Sequence, residues 1–201
     1  MPRVLSQEDV ADFRERLCEA AERLFAERGL EGVTMRQLAS ELGVSPMTPY
    51  RYFQDKDDIL AAIRAQGFNR FADALETAAA ATSDPVERSR LMGEAYLGFA
   101  LEHPHTYKLM FDLNQPDEQR FPDLVAANAR AREMMRHNVR GMIDAGLIEG
   151  DLDMVAHIFW ASTHGVVVLA LAGKLRGEVE LRALWQGVAG AVFQGLRPRR
   201  H

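Results

Sequence analysis

Apolar residues recur at helical spacing along nearly all of the 201 residues. The two-residue alternation that marks half-buried strands is scarce, because the Val and Ile residues rarely alternate with polar ones. Hydrophobic residues make up 47% of the chain and charged residues 26%, which is enough apolar surface to form a sizeable core. These patterns predict an all-α protein of about nine helices. Asp84-Pro85 is expected to open one helix and His103-Pro104 to break it, and residues 114–123, which hold two prolines, are expected to form a loop.

The first sixty residues contain start and stop signals for several short helices. Ser6 and Asp9 predict a capped first helix that Gly29 ends. Thr34 and Gln37 form the residue pair of a capping box, and the helix that they start ends before Gly43. A further short helix is expected from Ser45-Pro46 to Phe53, and Asp55 is expected to cap the long helix that follows.

Two short helices joined by a tight glycine-containing turn are the geometry with which one helix enters the major groove of DNA. Residues 1–60 are therefore predicted to form a three-helix helix-turn-helix DNA-binding domain. In the second short helix, Pro49 and Phe53 are expected to face inward. Met47, Thr48, Arg51 and Tyr52 would face outward. Arg51 is the expected base reader, because arginine can pair with guanine through two hydrogen bonds.

Lys56 lies in the first turn of the next helix, where the helix dipole disfavours a cation. A DNA phosphate bound there by Lys56, by the hydroxyls of Thr34 and Tyr50 and by backbone N–H groups would resolve this conflict. The alternative is that Lys56 pairs with Asp57 or Asp58 in solvent.

Residues 9–60 resemble the DNA-binding signature of the tetracycline-repressor (TetR) family. The resemblance is carried by Val33–Ala39, Gly43–Pro46, Tyr50–Phe53, Lys56 and Ile59-Leu60. It implies phosphate contacts for Thr34, Tyr50 and Lys56, and base contacts for Arg36, Met47, Thr48, Arg51 and Tyr52. One departure is Pro49, which replaces the leucine usual before the tyrosine. Pro49 removes an N–H and biases Thr48 away from helical angles, so the first turn is expected to be distorted.

Residues 61–201 are predicted to form a helical domain for ligand binding and dimerisation. Two segments, His103–Phe111 and Trp160–Gly165, resemble the C-terminal domain of the TetR subgroup named for its Trp, His and Gly. Aromatic and methionine side chains of the middle helices are predicted to surround a cavity for a small apolar effector. These predicted ligand-binding residues are Tyr96, Phe99, Tyr107, Met110, Phe111, Met134, Met135, Phe159, Trp160 and His164. The alternative for each of them is ordinary core packing.

Other classes of site find little support in the sequence. His103 with His105, and His157 with His164, lack the spacing of a strong metal site, so no metal and no cofactor are predicted. The sequence contains no set of nucleophile, base and orienting residue that would indicate an enzyme. The single cysteine, Cys18, is expected to be a core residue. No membrane span and no signal peptide are expected, which predicts a cytoplasmic protein.

The negative charge of the chain predicts that two subunits bind one operator. The chain has a net charge of −5, and residues 1–60 hold eight basic and twelve acidic residues, a net of −4. Binding to operator double-stranded DNA must therefore depend on few contacts from each subunit, which predicts a homodimer paired through the last two helices. The expected function is a repressor released from its operator by a small apolar molecule. The alternatives are a ligand-independent DNA-binding regulator and a helical small-molecule-binding protein.

Overall fold

The computed structural model describes residues 6–112, 115–175 and 179–198, and within them it contains α-helices and short 3-10 helices but no strand. The α-helices are α1 (Gln7–Arg28), α2 (Met35–Glu41), α3 (Lys56–Ala80), α4 (Pro85–Glu102), α5 (Pro104–Phe111), α6 (Pro122–Asp144), α7 (Leu152–Leu171) and α8 (Leu181–Gly195). Two 3-10 helices cover Pro49–Arg51 and Glu118–Arg120. The all-α prediction is confirmed.

The helix ends follow the local signals in the sequence. The Ser6 side chain accepts a hydrogen bond from the Asp9 backbone N–H, and the Asp9 carboxylate accepts one from the Ser6 N–H, so the predicted capping box is present. Thr34 and Gln37 form the same reciprocal pair at the start of α2. Gly29 ends α1 at a φ of 72°, a region that residues with a side chain rarely adopt.

Two predicted segments differ from the structure. The helix expected from Ser45 to Phe53 is a turn followed by the three-residue 3-10 helix Pro49–Arg51. The loop expected over residues 114–123 contains the 3-10 helix Glu118–Arg120 and the first residues of α6, and Leu113 and Asn114 lie outside the described residues. In the first segment Pro49 removes an N–H donor, so a short turn and a 3-10 helix replace the expected helix. In the second, Pro122 lies at the first position of α6, where the missing N–H breaks no intrahelical bond.

The helices form two compact units. The first consists of Met1–Phe68 and His105–Asn128, and the second of Asn69–Pro104 and Ala129–His201. α3 contributes its first half to one unit and its second half to the other. The predicted domain boundary at residue 60 stays a prediction, because packing alone does not define a functional domain.

Each unit has its own core. In the first unit, apolar residues of α1, α2 and α3 pack around Phe53, which is almost fully buried. In the second unit, Val139 and Met142 of α6 pack with Val155 of α7, and the Phe71 ring contacts the rings of Tyr96 and Phe99. Burial of these side chains supplies the main driving force for folding of each unit.

Candidate functional site

The recognition segment, defined here as residues 45–53, is wound more tightly than an α-helix. The Thr48 N–H donates to the Ser45 carbonyl at 2.8 Å, the Arg51 N–H to the Thr48 carbonyl at 3.1 Å, and the Tyr52 N–H to the Pro49 carbonyl at 3.0 Å. Each bond spans three residues, which is the 3-10 pattern. The predicted distortion around Pro49 is therefore present.

Thr48 itself does not follow the expected bias. Its φ of −63° and ψ of −47° are helical, although the residue before a proline usually avoids these angles. These angles direct the Thr48 carbonyl toward the Arg51 N–H, which donates to it. This hydrogen bond offsets part of the steric cost that Pro49 imposes.

Residues of α1 hold the C-terminal end of the recognition segment. The Arg14 side chain donates to the Tyr52 carbonyl, and its guanidinium carbon lies 4.0 Å from the centroid of the Phe53 ring. The Phe13 ring stacks on the Tyr52 ring with centroids 4.3 Å apart. Sequence reasoning missed both positioning residues, because their partners lie almost forty residues along the chain and no local motif links them.

The outward face of the recognition segment differs in two residues from the prediction, because Thr48 and Tyr52 are half-buried. Met47, Tyr50 and Arg51 are exposed, and Pro49 and Phe53 are buried as expected. Tyr52 is half-buried against Phe13 instead of facing outward. The reason is the 3-10 winding, which has three residues per turn and so places Tyr52 on the same side as the buried Pro49.

The other residues predicted to contact DNA differ in their exposure and in the hydrogen bonds that they already make within the protein. Thr34 and Arg36 of the α2 start are exposed, and Thr48 is half-buried. The Thr34 hydroxyl donates to Gln37 Oε1 at 2.9 Å and accepts from the Gln37 N–H at 3.3 Å. A phosphate that takes the Thr34 hydroxyl proton must therefore displace the Gln37 side chain.

Lys56 is already engaged, but by neither of the partners considered from the sequence. Its Nζ donates to the Leu30 carbonyl at 3.1 Å and lies 3.3 Å from Glu31 Oε2. Asp55 caps α3 as expected, since its carboxylate accepts a hydrogen bond from the Asp58 N–H at 2.9 Å. Part of the donor set predicted for a phosphate is thus satisfied within the protein.

The second unit contains a cavity of about 90 Å³. Its wall includes four predicted ligand-binding residues, Tyr96, Met135, Phe159 and Trp160. Sequence reasoning missed Asn138 and Trp185, which also line the cavity. Trp185 is the only tryptophan of the last helix, but the sequence pattern predicts a role in dimerisation for that helix and none in ligand binding.

The structure does not bring the other predicted ligand-binding residues into the cavity wall; they are Phe99, Tyr107, Met110, Phe111, Met134 and His164. Tyr107, Met110 and Phe111 belong to the first unit, where a Cβ added at Gly67 would meet the Met110 sulfur at 2.9 Å. Such close contact is core packing. Phe99 packs against the rings of Phe71 and His103 in the second unit.

Two titratable groups considered from the sequence have shifted pKa values. Burial raises the pKa of the Cys18 thiol to about 12, so the thiolate needed for nucleophilic or redox chemistry is scarce near neutral pH. Burial lowers the pKa of His164, whose ring lies 5.8 Å from that of Trp160. Within the described residues, no cluster of three or more His, Cys, Asp or Glu side chains is arranged to hold a metal ion.

α7 is the most apolar helix of the second unit. Among the described residues, it is the one helix whose length and composition would allow it to cross a membrane, a weak criterion that core helices of soluble proteins also meet. Val168, Leu169 and Leu171 of α7 are exposed. Exposed apolar side chains that cluster at one end of a helix often mark a contact surface.

Comparison with known families gives two matches. Residues 17–63 match the family described as "Bacterial regulatory proteins, tetR family". Residues 89–192 match "Tetracyclin repressor-like, C-terminal domain". The first match contains α2, the recognition segment and Lys56, and the second contains the residues of α4, α6 and α7 that line the cavity.

Individual proteins agree with these families. The HTH-type transcriptional repressor KstR2 of Mycobacterium tuberculosis is 30% identical over 162 residues, which cover 77% of each chain. The HTH-type transcriptional regulator SAB2452 of Staphylococcus aureus is 37% identical over 65 residues, 32% of this chain and 35% of that protein. A solved structure of a Rhodococcus sp. RHA1 protein of unknown function has a TM-score of 0.80 at 29% identity, with 98% and 100% of the chains covered.

Proposed function

Because the chain belongs to the TetR family of DNA-binding transcriptional regulators, and not to a family of enzymes, we propose that it is a cytoplasmic, homodimeric repressor that a small apolar effector releases from its operator. The observation that carries the proposal is the exposed recognition segment of the first unit combined with a cavity in the second. A DNA-binding surface and an effector site are the two parts that such a regulator needs.

At the operator, Arg51 and Arg36 supply the cations nearest to the bases, and Met47 and Thr48 supply the apolar and hydroxyl contacts. Tyr50, Thr34 and Lys56 hold phosphates once the Gln37 and Glu31 contacts have opened. Tyr52 acts through its stack on Phe13, which fixes the end of the recognition segment.

The effector acts through α3 in this proposal. Lys56 lies at the start of α3, and Leu75 of the same helix lines the cavity. A ligand that moves Leu75 therefore acts on the helix that carries a phosphate contact. Linkage requires reciprocity, so operator DNA weakens effector binding by the same factor by which the effector weakens DNA binding.

Dimerisation is supported by helical glycines for which no contact within one subunit requires the absence of a side chain. A Cβ added at Gly165, Gly187 or Gly190 would meet no atom within 4 Å. Glycine inside a helix costs about 1 kcal/mol relative to alanine. Three such glycines on α7 and α8, together with Val168 exposed on α7, fit a close contact with a second copy of the chain.

The test is selection of genomic DNA fragments by the purified protein, followed by fluorescence-anisotropy titrations at a stated salt concentration. Tyr50→Ala and Lys56→Ala should each weaken specific binding roughly tenfold, because each removes one phosphate contact. Val86→Ala, an exposed position on α4, is the matched control and should leave binding unchanged. If no fragment is enriched, the protein is not a specific DNA-binding regulator; enrichment without any effector response would favour ligand-independent regulation.

A further inference from the structure

We propose that the effector is an uncharged molecule with a hydroxyl group, and that this hydroxyl binds between Trp185 and Asn138. The inference rests on the proposed function, since it names the chemistry of the molecule that the cavity takes. Three observations carry it: the charge of the cavity wall, two buried polar atoms, and the fixed position of the Trp185 ring.

The cavity wall contains no acidic, basic or histidine side chain among the residues that the structure describes there. It consists of apolar side chains with a few uncharged polar ones, including Ser89 and Thr163. A charged group that enters such a site loses its hydration without gaining an ionic partner, which is strongly unfavourable. The wall therefore selects against carboxylates and ammonium groups.

Two polar atoms of the wall are buried without a hydrogen-bond partner, the donor Trp185 Nε1 and the acceptor Asn138 Oδ1. Trp185 is 5% exposed and Asn138 is 9% exposed, so these two atoms do not form hydrogen bonds with bulk water. Buried polar atoms nearly always have a partner in native proteins. A hydroxyl is the smallest group that can accept from an indole N–H and also donate to an amide oxygen.

The indole of Trp185 packs into the space that a side chain at Gly93 would occupy. A Cβ added at Gly93 of α4 would lie 2.3 Å from Trp185 Cζ2, so only glycine allows the ring to pack there. The position of the indole N–H is thus fixed before a ligand binds. Preorganised donors of this kind give specificity at low entropic cost.

The size of the cavity limits the effector, or the part of it that enters. The volume of about 90 Å³ is smaller than the roughly 150 Å³ engineered cavity that binds benzene. Short alcohols are therefore suitable probes. We choose n-pentanol, its isomer butyl methyl ether, and butanoate, which all have the same number of heavy atoms. The ether lacks the hydroxyl donor, and butanoate carries a charge.

Binding can be followed by intrinsic fluorescence, because both tryptophans of the chain, Trp160 and Trp185, line the cavity. We expect the full-length protein to bind n-pentanol roughly tenfold more tightly than butyl methyl ether, since the ether leaves Asn138 Oδ1 unsatisfied. Butanoate should bind still more weakly. A dissociation constant for the ether or for butanoate equal to or below that of n-pentanol would overturn the proposal.

Variants separate the two hydrogen bonds. Asn138→Leu should remove the preference for the alcohol over the ether, and Trp185→Phe should weaken both, because both accept from the indole N–H. Met142→Leu conserves volume at a buried position of α6 outside the cavity wall and should retain the preference. An unchanged preference in Asn138→Leu would show that water, and not the ligand, satisfies this atom, and would overturn the proposal.

Operator release by the same probes distinguishes this inference from the proposed function. If the alcohol preference holds and n-pentanol leaves the operator complex intact, the cavity chemistry stands and release by an effector fails. If charged compounds release the operator and the neutral alcohol neither binds nor releases it, the regulator stands and the neutral-hydroxyl inference is overturned.

Discussion

At the residue scale, Glu31 competes with DNA for Lys56. Its carboxylate lies 3.3 Å from Lys56 Nζ and is itself almost fully exposed, so it would also repel an approaching phosphate. Exposed ion pairs contribute little to stability. The effect of Glu31 should therefore be seen in DNA binding and hardly at all in folding.

We expect Glu31→Gln to tighten operator binding roughly twofold to fivefold at low salt, an effect of the size typical of an exposed ion pair. The gain should shrink as salt rises, because salt screens exposed charges. Anisotropy titrations at two salt concentrations measure both. Glu149→Gln makes the same charge change at an exposed position in the second unit, and an equal gain there would show that only net charge matters.

Single residues also show what the sequence could and could not predict. The caps at Ser6 and Thr34 were predictable, because their partners lie three residues away. The role of Arg14 was not, because it depends on how α1 packs against the recognition segment. Lys56 shows the same limit: local reasoning considered its neighbours Asp57 and Asp58, whereas its partners in the fold come from the loop after α1.

At the scale of elements, the recognition segment shows the effect of one proline. Pro49 has no N–H, and the segment that was predicted as a helix is wound as 3-10 around it. The helix boundaries at Asp84-Pro85 and His103-Pro104 were predicted correctly by the same reasoning. Proline position is thus a reliable signal for where a helix starts or stops, but the winding of a short segment depends on packing.

Pro49→Leu should convert residues 46–52 to an α-helix, since it restores a backbone donor and removes the steric restriction on Thr48. Backbone carbon chemical shifts of Tyr50 to Tyr52 would move toward helical values, and operator preference would change with them. Pro46→Ala is the control, because a proline at the exposed first turn costs no intrahelical bond. Unchanged shifts in Pro49→Leu would mean that Arg14 and Phe13, not Pro49, impose the 3-10 winding.

α4 offers a matched pair of glycines for the cavity. Gly93→Ala should destabilise the protein by about 1–3 kcal/mol, because the added methyl group overlaps the Trp185 ring. Gly98→Ala meets no atom within 4 Å and should stabilise it by about 0.5–1 kcal/mol through helix propensity. Chemical denaturation measures both, and tryptophan emission should shift only in Gly93→Ala. Equal stability changes would contradict the packing of Trp185 on α4.

At the scale of the whole molecule, the negative charge of the chain makes DNA binding depend on a symmetric dimer. The chain is acidic, and its first sixty residues are acidic too, so one subunit offers DNA few favourable contacts. Two subunits on one duplex bind far more tightly than one, because the second contact is made at high effective concentration. Loss of the dimer should therefore weaken operator binding even when the recognition segment is intact.

Val168→Glu tests this link between the α7 surface and DNA. Val168 is 44% exposed and Val86 of α4 is 48% exposed, so the same substitution at the two positions should affect folding equally little. We expect Val168→Glu to be monomeric by light scattering, because it places two like charges near a two-fold axis, and to bind operator at least tenfold more weakly. Val86→Glu should remain dimeric with unchanged affinity. A dimeric Val168→Glu would place the subunit contact elsewhere, whereas a monomer with full affinity would show that one recognition segment suffices and that the charge argument for two subunits is wrong.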